Sequence, residues 1–206
     1  MALEASYVGK FSDGGGLSDL LQPRYDIGRH RARFVAYAYD QAINRKGQVV
    51  AAPTDIGPGT MLYRKDLLER AGVAPADLQP SWDAYVDAGI RIKKATGANL
   101  IGNVRTLKDL MIRAGLKKGQ GIYFDSDSSV LVDTPRFHRA FELALRVRRN
   151  RLEGRLETWS NEWAEAFRRG VTATELGGSW MVGQLANWVA PTTKGLWRAA
   201  QLPEST

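Results

Sequence analysis

The 206-residue sequence contains no cysteine, two histidines and no long apolar run. The absence of cysteine excludes disulfides, thiolate catalysis and cysteine-ligated metals. His30 and His138 leave almost nothing for a histidine-based metal centre. No apolar run approaches the ~20 residues of a membrane-spanning helix. The sequence therefore predicts no metal site, no cofactor and no transmembrane segment.

Motifs of the common catalytic folds are also missing. The chain has no Gly-x-Ser-x-Gly, no Walker A loop and no His-Glu-x-x-His. Carboxylates are the remaining candidate catalytic groups. Glycoside hydrolysis needs two carboxyl groups at a defined distance from each other, and the sequence does not give that distance. A carbohydrate-active enzyme is therefore one function left open. Its candidate carboxylates are Asp13, Asp19, Asp55 and Glu175.

Basic residues exceed acidic ones, 29 against 22, for a net charge of +7. They concentrate in two clusters on predicted helices with interleaved apolar residues, which favours solvated amphipathic faces over a phosphate-binding track. We expect no nucleic-acid partner, although a basic nucleic-acid or interaction module is a second alternative. The clusters are Arg24, Arg29, Arg31 and Arg33, and Arg146, Arg148, Arg149, Arg151 and Arg155.

Strand-like and helix-like segments alternate along the chain, which predicts an α/β fold with a largely parallel sheet. Ser81 and Thr134 are predicted helix N-caps, and Gly72 a left-handed helix end. The predicted strands are 2–8, 48–52, 60–64, 99–103, 119–124, 171–176 and 195–202. The predicted helices are 31–43, 65–71, 82–95, 107–116, 135–152 and 180–187, with one further helix around 159–170.

Aromatic spacing predicts which helix faces are buried. Trp159, Trp163 and Phe167 are four residues apart, so they are expected on one packed face of a helix. Phe137, Phe141 and Leu145 are expected to form the buried stripe of another, with Ala144 at its edge.

Trp180 differs from the other tryptophans because it follows Gly177-Gly178-Ser179 at a predicted strand-to-helix turn. Open α/β sheets bind ligands at the carboxyl ends of their strands. An indole offers a flat apolar face to the C–H face of a sugar ring, and the Ser179 hydroxyl can bond sugar hydroxyls. These residues favour a ligand-binding role.

Several ordered motifs resemble extracellular solute-binding proteins of ABC sugar importers (family 1, periplasmic-binding-protein type II-like). The resemblance covers nearly the whole chain. Arg64 and Thr174 depart from the residues common in that family, Asn and Met. The motifs are the stretch 47–73, which includes Asp55-Ile56-Gly57-Pro58 and Tyr63-Arg64-Lys65-Asp66-Leu67; Ser81-Trp82-Asp83-Ala84-Tyr85; Phe167-Arg168-Arg169-Gly170-Val171-Thr172-Ala173; and Gly178-Ser179-Trp180.

The resemblance implies two α/β lobes, with a sugar bound in the cleft between them and hinge closure on binding. It places residues 1–55 in the N-lobe and 56–168 in the C-lobe, with the first hinge crossing at 55–60, and returns 169–206 to the N-lobe. It places carbohydrate contacts at Asp55 and Trp180, beside Ser179 and Gly178, and no catalytic residue.

The same resemblance implies a non-enzymatic, substrate-binding component of an importer. Its expected partners are a sugar or oligosaccharide and the membrane permease subunits, and its expected location is periplasmic or extracellular. No signal peptide is visible, and parts of the family pattern have no counterpart here. We therefore expect the chain to correspond to the middle of a binding protein about twice as long, with both lobes incomplete.

Overall fold

The computed structural model describes residues 2–114, 116, 119–125 and 127–204, in two compact units that meet between Gly57 and Pro58. None of the helices described there is long and apolar enough to cross a membrane. The α-helices are α1 (Ala5–Asp13), α2 (Ala36–Asp40), α3 (Lys65–Arg70), α4 (Trp82–Thr96), α5 (Val104–Ala114), α6 (Pro135–Arg149), α7 (Asn161–Arg168) and α8 (Met181–Gln184). The strands are β1 (Gly59–Arg64), β2 (Asn99–Ile101), β3 (Thr172–Gly178) and β4 (Trp197–Ala200). Short 3-10 segments span Ile27–Arg33, Pro75–Leu78 and Pro191–Thr193, and a π-helical turn spans Leu185–Val189.

The second unit is built on a four-stranded sheet in the order β2-β3-β1-β4. β3 pairs with β2 in parallel and with β1 antiparallel, and β1 pairs with β4 antiparallel. The prediction of a largely parallel sheet is therefore wrong for this sheet, which is mixed. The reason is that β1 and β3 run in opposite directions past each other, so Gly59 at the start of β1 lies opposite Gly178 at the end of β3.

Local signals in the sequence set the helices that follow β1. Gly72 has a φ of +60°, and the Val73 amide donates to the Leu68 carbonyl, so α3 ends in the predicted left-handed turn. The Ser81 hydroxyl accepts from the Ala84 amide and caps α4 as predicted. Thr134 does not cap α6 through its side chain, because its hydroxyl donates to the Leu131 carbonyl instead.

The main core lies between the sheet and helices α3 to α6. Leu143, Ala144 and Val147 of α6 point into it. The predicted stripe on this helix is partly wrong: Phe137 and Ala144 are buried, but Phe141 and Leu145 are about half exposed. The buried face runs instead along Ala140, Leu143, Ala144 and Val147, because tertiary packing selects these residues of the helix.

The first unit is less regular than the sequence predicts. Residues predicted as strand 2–8 begin helix α1, whose Val8 and Ser12 are buried at helical spacing. The predicted helix 31–43 is interrupted because Phe34 and Val35 are extended. The predicted strand 48–52 makes a single antiparallel bridge between Val49 and Ile43.

Other differences concern element ends. The predicted helix 107–116 starts three residues earlier, at Val104, and is described to Ala114; Gly115 lies outside the described residues. The predicted strand 119–124 contributes one bridge, Phe124 to Val130.

The boundary between the units falls inside the predicted hinge segment 55–60. The division into lobes stays a prediction for the whole protein. Among the described residues, however, β3 and β4 pair with β1, so the segment predicted to return to the first lobe belongs to the second unit here.

Two consecutive buried hydrogen bonds, both through the Thr174 hydroxyl, connect α4 to the middle of the sheet. Thr174 Oγ1 donates to the Leu100 carbonyl at 2.6 Å. Its single proton is used there, so the Tyr85 hydroxyl, also at 2.6 Å, is the donor to Thr174. Tyr85 and Thr174 are fully buried, and each satisfies a polar atom of the other.

We expect Thr174→Val to destabilise the second unit by about 1–3 kcal/mol, because the substitution leaves the Tyr85 hydroxyl and the Leu100 carbonyl buried without partners. Tyr85→Phe removes only the outer donor and should cost less, about 1 kcal/mol. Denaturant unfolding followed by tryptophan fluorescence measures both effects, since all six tryptophans of the chain lie in this unit. Equal losses of unfolding free energy in the two variants would contradict the assignment of Tyr85 as the donor to Thr174.

Candidate functional site

Three of the four predicted site residues lie together where β3 ends. Gly178 is the last residue of the strand and pairs with Gly59. The Ser179 amide donates to the Pro58 carbonyl at 3.0 Å, which extends the contact between β3 and the start of β1 by one residue. Its hydroxyl makes no hydrogen bond within the described part of the chain. Trp180 follows at the start of α8 and is 46% exposed.

Gly178 is required for the position of the Trp180 side chain. A Cβ atom at residue 178 would lie 2.2 Å from Trp180 Nε1 and 2.7 Å from Cδ1, closer than atoms approach. At Gly177, by contrast, an added Cβ would meet only Met181 Cε, at 4.0 Å. The indole of Trp180 therefore lies directly against the end of the strand because residue 178 has no side chain.

Trp159 lies beside Trp180 and not in the core. The two rings are stacked, with centroids 5.8 Å apart and planes 17° apart. The prediction that Trp159 packs on a helix face is wrong, because α7 begins at Asn161 and Trp159 precedes it, 56% exposed. Trp163 and Phe167 are buried in the α7 face as predicted.

The backbone explains how Trp159 leaves the helix. Its φ is +70°, in the left-handed region, which costs roughly 1–2 kcal/mol for a bulky residue. Contacts with Trp180 and with Trp163, at 5.1 Å, offset that cost, since each aromatic pair contributes about 0.5–1.5 kcal/mol. The sequence holds a signal for this: Ser160 caps α7 by accepting from the Trp163 amide, so Trp159 lies outside the helix.

Asp55, the fourth predicted site residue, belongs to the first unit. Its exposed carboxylate lines a cleft of about 290 Å³ and has no hydrogen-bond or ion-pair partner among the described residues. Thr54 and Gln41 line the same cleft, together with Glu4 at the start of α1. Sequence reasoning missed both residues, because it assigned Glu4 to a strand over 2–8 and Gln41 to the middle of a helix over 31–43. These polar side chains, in a cleft otherwise lined by apolar residues, suit hydrogen bonding to hydroxyl groups.

Glu175, one of the candidate catalytic carboxylates, is buried in the middle of β3. Burial raises the pKa of its carboxyl from 4.5 to about 8, although a hydrogen bond with the Trp163 side chain opposes the rise. At neutral pH the group is mostly protonated. Glu175 therefore lies in the core beside Trp163 and not on an open surface.

Three of the five arginines of the second basic cluster, Arg146, Arg148 and Arg155, form ion pairs within the fold. Arg146 of α6 donates to Asp83 of α4 at 2.8 Å and also pairs with Asp87. Arg148 pairs with the buried carboxylate of Glu153 at 2.6 Å. These contacts join neighbouring elements of the fold, and the absence of a nucleic-acid partner stays a prediction.

Comparison with known proteins now gives a family context. A family model described as "Bacterial extracellular solute-binding protein" matches residues 2–201. The lactose-binding protein of Rhizobium radiobacter is 28% identical over 173 residues, which cover 83% of this chain and 40% of that protein. These are solute-binding proteins and not enzymes, in agreement with the predicted binding role.

Solved structures show the same fold. An extracellular solute-binding protein of family 1 matches with a TM-score of 0.79 and 25% identity, over 97% of this chain and 51% of its own. The ABC transporter associated binding protein of B. animalis subsp. lactis Bl-04, in complex with β-1,6-galactobiose, matches with a TM-score of 0.78 and 22% identity, over 96% and 48%. The predicted periplasmic-binding-protein-like α/β class is confirmed. The chain spans about half the length of the structures it matches.

We expect the free energy of unfolding to fall as pH rises from about 4.5 to about 8, because the folded state keeps a proton on Glu175 that the unfolded state releases. The loss should be on the order of a few kcal/mol and should level off above the folded pKa. Glu175→Gln should remove this component. Denaturant unfolding of both proteins at a series of pH values measures the difference.

The exposed Glu142 on α6 provides the control. Glu142→Gln should follow the wild-type pH dependence. If the free energy of unfolding had the same pH dependence in the wild type and in Glu175→Gln, Glu175 would not be the group that holds the proton.

Proposed function

Because the chain belongs to the bacterial extracellular solute-binding proteins, we propose that the protein is the carbohydrate-binding component of an ABC importer and that Trp180 contacts the sugar. A binding protein needs no catalytic group, only a surface complementary to its ligand. The substrate class is a neutral sugar or oligosaccharide.

The observation that carries the proposal is the exposed indole of Trp180 at the end of β3. Its position is fixed by the rigid strand, by Gly178 and by the stacked ring of Trp159. A pyranose presents an apolar C–H face that packs on such a ring, and the Ser179 hydroxyl beside it is available for a sugar hydroxyl. A flat apolar surface next to a free polar group is typical of carbohydrate sites.

Asp55, in the first unit, supplies a carboxylate that can accept hydrogen bonds from sugar hydroxyls. An unpaired carboxylate accepts strong, charge-assisted hydrogen bonds from hydroxyl groups. With Gln41 and Thr54 in the same cleft, the carboxylate can fix the orientation of several hydroxyls of one ring. We assign Asp55 the role of hydroxyl acceptor.

The remaining parts of the proposal follow from the family. We place the protein outside the bacterial inner membrane, in the periplasm or at the cell exterior, with the permease subunits of the importer as its protein partner. Closure of two lobes about the sugar, as the resemblance implies, belongs to the same proposal.

We predict that the purified full-length protein binds a neutral sugar and that Trp180→Ala lowers its affinity at least about tenfold, since the variant loses the stacking surface. Isothermal titration with lactose and with β-1,6-galactobiose, the sugars of the two relatives, measures the loss. Trp188→Ala is the matched control, because Trp188 is 73% exposed and makes no ring contact among the described residues. Unchanged affinity in Trp180→Ala would exclude the stacking role.

Asp55→Asn keeps the size of the side chain and removes its charge. We expect the affinity for the same sugar to fall about 5- to 20-fold, because the hydrogen bonds from the sugar hydroxyls lose their ionic partner. Asp13→Asn, at the exposed end of α1, should bind like the wild type. Equal affinities for Asp55→Asn and Asp13→Asn would remove Asp55 from the site.

A further inference from the structure

Trp159 is held in an unfavourable backbone conformation by contacts with two other indoles. Its φ of +70° is rare for a large side chain. One neighbour is Trp163, which is buried and tilted by 53° at 5.1 Å. The other is Trp180, which is nearly parallel at 5.8 Å. Backbone strain that surrounding contacts maintain is concentrated at functional sites in proteins.

The stack restricts how Trp180 meets a ligand. An indole has two faces, and the near-parallel ring of Trp159 covers part of one of them. The pyrrole side of the Trp180 ring, at Nε1 and Cδ1, lies against Gly178. Rotation of the Trp180 side chain would break the stack or collide with the strand, so the exposed 46% of the residue is presented in one orientation.

The support continues into the core. Trp163 is 1% exposed, forms an edge contact with Phe167 at 4.7 Å and hydrogen-bonds to Glu175 of β3. Trp159 thus connects an ordered part of the core to the exposed indole of Trp180. A preformed surface binds more tightly than a mobile one, because less side-chain freedom is lost on binding.

We propose that Trp159 is a positioning residue of the carbohydrate site: it orients Trp180 by stacking on one face of its indole and leaves the opposite side for a single sugar ring. This inference rests on the proposed function. It adds a residue that lies outside the predicted site and limits the direction from which the sugar approaches.

Circular dichroism tests the stack without any ligand. Two indoles held in a fixed arrangement at 5.8 Å couple their electronic transitions and give a paired positive and negative band. Trp159 also lies 5.1 Å from Trp163, and that pair couples as well. We expect Trp159→Ala to lose both contributions and Trp180→Ala to lose the one from the Trp159–Trp180 stack, whereas Trp188→Ala keeps both. Retention of the paired band in Trp159→Ala would overturn the proposed arrangement.

Sugar titration of the full-length protein tests the positioning role. Trp159→Ala should bind the sugar about 3- to 10-fold more weakly, the loss expected from one aromatic pair. Trp159→Phe retains a ring over Trp180 and should recover at least part of the affinity. Thermal unfolding of each variant checks that the fold is intact.

Substitution of Gly178 perturbs the Trp180 indole at the edge that lies against the strand. Gly178→Ala places a methyl group against Trp180, whereas Gly177→Ala places one in ordinary van der Waals contact with Met181. We expect the first variant to lose affinity and the contribution of the Trp159–Trp180 stack to the paired band, and the second to resemble the wild type.

Wild-type affinity in both Trp159→Ala and Gly178→Ala, with the paired band lost, would overturn the positioning role while leaving the sugar site intact. Failure of the wild type to bind any neutral sugar would overturn the proposed function. In that case, an unchanged paired band in Trp180→Ala would still count against the stack, and a weaker band in Trp180→Ala would still support it.

Discussion

β3 is hydrogen-bonded along both edges and is buried from Thr172 to Leu176, and the rest of the second unit is arranged around that burial. Buried polar side chains are stabilised by partners within the fold, and two of the three in β3 have one, whereas Thr172 Oγ1 has no hydrogen-bond partner among the described residues. Thr174 obtains its partner from Tyr85 of α4, and Glu175 obtains one from Trp163 of α7. Helices on both sides of the strand are therefore fixed by polar contacts as well as by apolar packing.

The candidate site takes its geometry from this strand. Because β3 is held along its whole length, Gly178 at its end is a fixed point, and Trp180 turns away from the sheet directly against it. Trp163, which contacts Glu175 inside the core, also supports Trp159 beneath Trp180. Core and site are joined through three indoles, so preorganisation of the exposed ring follows from the packing of the strand.

Sequence reasoning succeeded where the signals are local. The cap at Ser81 and the glycine end at Gly72 fixed two helix boundaries, and the motif around Trp180 identified a residue that the strand end exposes. It failed where the outcome depends on tertiary contacts. The direction of β1 against β3 is a property of the chain path, and the positive φ of Trp159 is maintained by rings distant in sequence. The first unit, with its 3-10 and extended segments, offers too little periodicity for pattern analysis.

Binding of a neutral sugar through Trp180 can be observed in the nuclear magnetic resonance signals of the tryptophan indole N–H groups. The full-length protein labelled with ¹⁵N would be titrated with the sugar, and the signals of Trp180 and Trp188 would be assigned by substitution. We expect the Trp180 signal to shift on saturation while that of Trp188 stays in place. Sugar binding that leaves the Trp180 signal unmoved would show that the indole of Trp180 does not contact the sugar.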